Sequence, residues 1–63
     1  MKDKAKKEMF KDLVFMIIEC RAKPRAMARA LMLDYLISIE EGERYYWNWF
    51  EAGCPMKYID IFK

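Results

Sequence analysis

Pro24 and the Gly53–Pro55 pair cut this 63-residue chain into three pieces, and within the first two the apolar residues recur at helical spacing. A proline ring drives the preceding residue, Lys23, out of the helical region and suits the first turn of a new helix. Gly53, followed two residues later by Pro55, is a strong stop signal. Between these marks Met27, Ala28, Leu31, Met32, Tyr35, Leu36 and Ile39 form one broad apolar face. Ala22, Ala26, Ala30, Leu33 and Ile37 form another at spacings of three and four. A helix apolar on both sides is expected to be covered on both sides. The alanine-rich stripe is therefore the candidate surface for self-association.

Gly42 is the one point at which this long helix could be interrupted. The phase argues for continuity, because Gly42, Tyr45, Tyr46, Trp49 and Phe50 extend the face of Leu31, Tyr35 and Ile39. A glycine inside a helix costs about 1 kcal/mol against alanine, and on a buried face it leaves room for a neighbouring ring. The spacing thus predicts one helix over about 24–52. Before it, Met9, Leu13, Met16, Ile17 and Cys20 predict a helix over about 4–21, with Phe10 and Val14 widening its stripe. Phe15 projects among that helix's charges. The remaining piece, 55–63, is too apolar for a free tail and is expected to fold back on the aromatic segment.

The expected fold is therefore all-α: a single small domain over 1–63, built as an antiparallel hairpin with a long second helix and a short C-terminal segment. A continuous second helix of this length would run about 44 Å, against about 27 Å for the first. Its aromatic end would outrun its partner. Five rings, Tyr45, Tyr46, Trp47, Trp49 and Phe50, occupy six consecutive positions there and point round most of a helix. The simplest arrangement has Tyr46, Trp49 and Phe50 as core. Apolar surface beyond a few hundred Å² is rare on a monomer and marks an interface, so assembly into a dimeric helical bundle is expected.

Charge divides the chain as well. Residues 1–30 carry nine Lys/Arg against four Asp/Glu, whereas residues 31–63 carry three against six. In a hairpin, Lys4, Lys6 and Lys7 would come near Glu40, Glu41 and Glu43, and the asymmetry would be spent internally.

Most chemistry is disfavoured by what the chain lacks. It has no His, its only cysteines are Cys20 and Cys54, and Ser38 is its sole Ser or Thr. No zinc site or metal centre can be assembled from such a set, no cofactor is implied, and the usual nucleophile-and-base constellations are missing. The cysteines read as free thiols. The N-terminal stretch imitates a lipoprotein signal, but Asp3, Glu8 and Asp12 interrupt its basic region, and Glu19 stands where a small residue is needed before the cysteine. A soluble cytoplasmic chain is the expectation.

What remains is recognition. Tyr45, Trp47, Asn48 and Arg44, with Phe15, are the candidate partner-binding residues, since Trp, Tyr and Arg dominate binding hot spots. The function this points to is that of a protein-binding adaptor, regulator or inhibitor. Small size suggests an accessory protein of a phage or other mobile element. Arg21, Lys23, Arg25 and Arg29 cluster around Pro24 beside a helix N-terminus, which makes them the alternative site, for an anion or nucleic acid. A lysine-rich amphipathic first helix also allows association with a membrane surface, although its interspersed acids weaken that reading.

Overall fold

The computed structural model describes residues 2–62; residue 63, the last of the expected C-terminal segment, lies outside the described residues, as does residue 1. The described residues form three helices and no strand: α1 (Asp3–Ile18), α2 (Pro24–Tyr35) and α3 (Ile39–Glu51).

In α1 the buried residues are Met9, Phe10 and Leu13, a stripe of three- and four-residue spacings. It ends three residues short of the predicted boundary. Glu19 and Cys20 close onto the carbonyl of Phe15, and Arg21 then adopts a left-handed backbone with φ 52°. Lys23 is extended and caps α2, with Pro24 in the first turn, where its missing N–H would have no partner.

The long second helix is not formed. The chain breaks at residues 36–38 rather than at Gly42, and two local devices make the break. Leu36 turns left-handed at φ 57°, its N–H closing onto the carbonyl of Met32. Ser38 then starts α3 with a capping box. Its Oγ accepts from the Glu41 N–H at 3.0 Å, and Glu41 Oε1 accepts from the Ser38 N–H at 3.1 Å. Each half satisfies a backbone donor that a helix start leaves open. Folding the rod in two shortens the molecule to 26 Å in its longest dimension.

Gly42 lies inside α3, against Ala28 of α2. A Cβ added there would sit 2.7 Å from the Ala28 Cβ and 2.8 Å from its Cα. The missing side chain therefore makes room for a neighbouring backbone, not for a ring. α2 and α3 form the most extensive helix pair, while α1 meets α2 over a smaller area.

At the end of α3 the Cys54 N–H bonds to the carbonyl of Trp49, and the Gly53 N–H to that of Phe50, the paired closure of a Schellman motif. Gly53 and Cys54 are both left-handed, at φ 93° and 57°. The chain then returns along α3 without regular structure. The core collects Met9, Phe10 and Leu13 from α1, Met27, Ala28 and Leu31 from α2, and Tyr45 and Trp49 from α3, closed by Ile37 and Ile61.

Candidate interaction surfaces

A helix turns about 100° per residue, so a core contact through Gly42, Tyr45 and Trp49 places Trp47 on the opposite side of α3, with Tyr46 and Phe50 on the flank between. Trp47 is 50% exposed and Phe50 53%. The rings are packed on one another. Tyr46 meets Trp47 edge-on at 5.0 Å between centroids, and Trp47 meets Phe50 edge-on at 5.8 Å. Such pairs hold each ring in place beyond what area alone provides. Phe50, expected in the core, is thus an outer residue, because α3 takes its phase from Tyr45 and Trp49 and not from the face of α2.

Two of the expected partner-binding residues face inward. Tyr45 is only 3% exposed. Its ring packs edge-on against Phe62 at 4.9 Å, and its hydroxyl donates to Glu41 Oε2 at 3.4 Å. Burial, then the Glu41 carboxylate, raises its pKa. Asn48 is half-buried and donates its Nδ2 to the Ile61 carbonyl at 2.8 Å, so it ties the C-terminal segment down. Arg44 stays exposed, with its guanidinium 5.5 Å above the Tyr45 ring. Phe15, also exposed, lines a shallow cleft with Glu8, Lys11, Asp12 and Tyr35.

Within that cleft the Tyr35 hydroxyl donates to Asp12 Oδ2. Burial raises the Tyr35 pKa most, followed by the Asp12 bond and the charges of Asp12, Glu8 and Asp34. A phenol held neutral in this way is a donor, not an activated nucleophile.

The self-association stripe is divided. Ala26 is exposed, Ala30 half-buried and Leu33 77% exposed, all on the outer side of α2. Ala22 packs against the core, and Ile37 is part of it, since the break after Tyr35 rotates Ile37 inward. The basic group stays together in chain order and in exposure: Arg21, Lys23, Arg25 and Arg29 all face solvent. Among the described residues the one ion pair is Lys6 Nζ with Asp60 Oδ2 at 3.3 Å, so no bridge joins the N-terminal lysines to Glu40, Glu41 or Glu43. Glu41 is committed to its cap instead.

Cys20 and Cys54 are exposed and unbridged. Among the described residues no group of three His, Cys, Asp or Glu could hold a metal ion, and no helix is long and apolar enough to cross a membrane. Comparison with protein-family models, with curated proteins and with solved structures finds no match.

Proposed function

We propose that this chain is a non-enzymatic interaction module, acting as an adaptor, regulator or inhibitor by docking a protein partner on the outer face of α3, and that it self-associates into a dimeric helical bundle. The observation that carries the reading is the edge-packed run Tyr46, Trp47 and Phe50 on α3, in which Tyr46 packs against the core while the rings of Trp47 and Phe50 stay half-exposed outside it. Half-exposed aromatic rings fixed by their neighbours lose little side-chain freedom on binding, which is why such groups anchor interfaces. Arg44 at the edge of the trio supplies a cation for the rim. Sedimentation equilibrium of the intact chain tests the reading together with Trp47→Ala. Concentration-dependent association weakened at least tenfold by the substitution supports it. A monomer at every concentration, unaffected by the substitution, refutes it.

A second reading has its own observation. Arg21, Lys23, Arg25 and Arg29 are exposed and make no ion pair among the described residues, which suits a polyanion such as nucleic acid. It requires affinity that falls steeply with salt and is lost in the double variant Arg25→Ala, Arg29→Ala. Fluorescence anisotropy with a labelled duplex measures both.

A further inference from the structure

Residues 53–62 behave as a bound peptide rather than as an element of the fold. They form neither helix nor strand, yet Ile61 is buried with the core, at 3% exposure. What holds them comes from the side chains of α1 and α3. Trp49 Nε1 donates to the Pro55 carbonyl and Asn48 Nδ2 to the Ile61 carbonyl, each at 2.8 Å. Lys6 of α1 pairs with Asp60. Phe10 of α1 packs edge-on against Tyr58 at 5.4 Å, and Phe62 packs on Tyr45 of α3. The segment thus lies over the groove between α1 and α3, where Ile61 is buried while residues 56–60 stay on the exposed side. Its connection to the rest is the pair Gly53–Cys54, both left-handed. Glycine adopts that backbone freely, but Cys54 carries a Cβ that opposes it. Straightening the hinge removes that opposition and carries the segment out of its own groove.

We propose that this groove accepts residues 55–62 of a second copy of the chain, with the segments exchanged between two protomers. The proposal rests on the self-association reading above and adds an interface separate from the outer rings of α3. A second copy is the fitting occupant because it brings the same Tyr58, Asp60, Ile61 and Phe62 to the same Phe10, Lys6, Asn48 and Tyr45. The side-chain contacts that hold the segment are recovered, and the change of conformation is confined to the two hinge residues, whose N–H bonds to the Trp49 and Phe50 carbonyls are the ones given up. Exchange of an identical element is a low-cost route to a dimer for this reason.

Lys6 and Asp60 supply the test, since one wall carries the cation and the segment carries the anion. The full-length variants Lys6→Glu and Asp60→Lys each place like charges at this junction, within one chain or between two copies of the same variant. Mixed, they form an exchanged heterodimer in which both junctions pair opposite charges. Native mass spectrometry of the mixture should show the heterodimer at roughly threefold or more above random pairing. Random pairing overturns the exchange while leaving self-association through another face intact. A wild-type chain that stays monomeric overturns both. Cys54→Gly gives a second measurement that does not depend on the charge variants folding well. By relaxing the closed hinge in both protomers it should raise the dimer dissociation constant roughly tenfold, and an unchanged constant overturns the proposal.

Discussion

Replacing Gly42 with alanine sets two known quantities against each other. Alanine is the better helix residue by about 1 kcal/mol, and Gly42 sits inside α3, so propensity alone would stabilise the variant. The new Cβ, however, would lie 2.7 Å from the Ala28 Cβ and 2.8 Å from its Cα. These atoms are fixed to a helix backbone and cannot rotate away. Relief requires α2 and α3 to separate by a fraction of an ångström to roughly 1 Å, which opens gaps along the most extensive helix pairing in the molecule; overpacking of this kind costs about 1–3 kcal/mol. Because the obstacle is rigid the upper end applies, and the net loss is about 1–2 kcal/mol. In a domain of this size that lowers Tm by about 5–15 °C. Thermal and urea unfolding followed by circular dichroism measures it. Ala28→Gly in the same chain relieves the clash with the methyl group but leaves the one with the main chain, so it should restore only part of the loss. A Gly42→Ala chain as stable as the parent would refute the close approach of α2 and α3.

Further outcomes follow from named residues. Ser38→Ala should cost about 1 kcal/mol through loss of the cap. The Ser38 N–H, then its hydroxyl, holds the Glu41 carboxyl below its usual range. That stabilisation is therefore present above the ordinary carboxyl pKa and lost as pH falls through the folded value, and Glu41→Gln should flatten the acid limb of a stability–pH curve. At alkaline pH the sign reverses. Tyr35 and Tyr45 are raised mainly by burial, so their contribution is complete below about pH 10 and lost as pH climbs beyond it, and Tyr35→Phe should shallow that decline in urea titrations. Finally, the two tryptophans should separate cleanly: Trp49→Ala removes a fully buried ring at about 3–5 kcal/mol and should unfold the chain, whereas Trp47→Ala should leave Tm nearly unchanged at concentrations where the chain is dissociated, as read by differential scanning fluorimetry.

The helical class and two of the junctions were legible in the chain because they rest on residues with one strong backbone preference. Pro24 opens α2, and Gly53 closes α3 in a left-handed turn. The break at residues 36–38 was hidden because its first half is a leucine in a conformation that leucine rarely takes, so no residue type announces it. Its second half was readable: Ser38 followed three residues later by Glu41 is the signature of a capping box, but the apolar period running through Ile39 masks it. The error in the site follows from that one event. Once α3 is uncoupled from α2, its faces are set by what Gly42, Tyr45 and Trp49 pack against. Tyr45 then turns inward, Phe50 turns outward, and Ile37 leaves the alanine stripe for the core. The outward side of Trp47 survives either phase. The role of Asn48 had no sequence signal, because its partner is a main-chain carbonyl 13 residues away.

The exposed rings are a consequence of how closely the two later helices meet. Small residues where they cross, Ala28 and Gly42, bring α2 and α3 together so tightly that little volume remains between them for aromatic side chains. Tyr45 and Trp49 are buried because α1 and the returning C-terminal segment add further walls, with Met9, Phe10 and Leu13 on one side and Ile61 on the other. Tyr46 reaches them only at their edge, and Trp47 and Phe50 lie beyond them. Leu36 makes the same point from the other end of the break: it is left-handed and 93% exposed, contrary to both the backbone and the solvation preference of leucine. Local preference and native structure usually agree, and where they conflict the site is most often one that serves something other than stability. On the proposal above, burying Leu36 and the outer rings of α3 against a second molecule is the change that would bring the two into agreement.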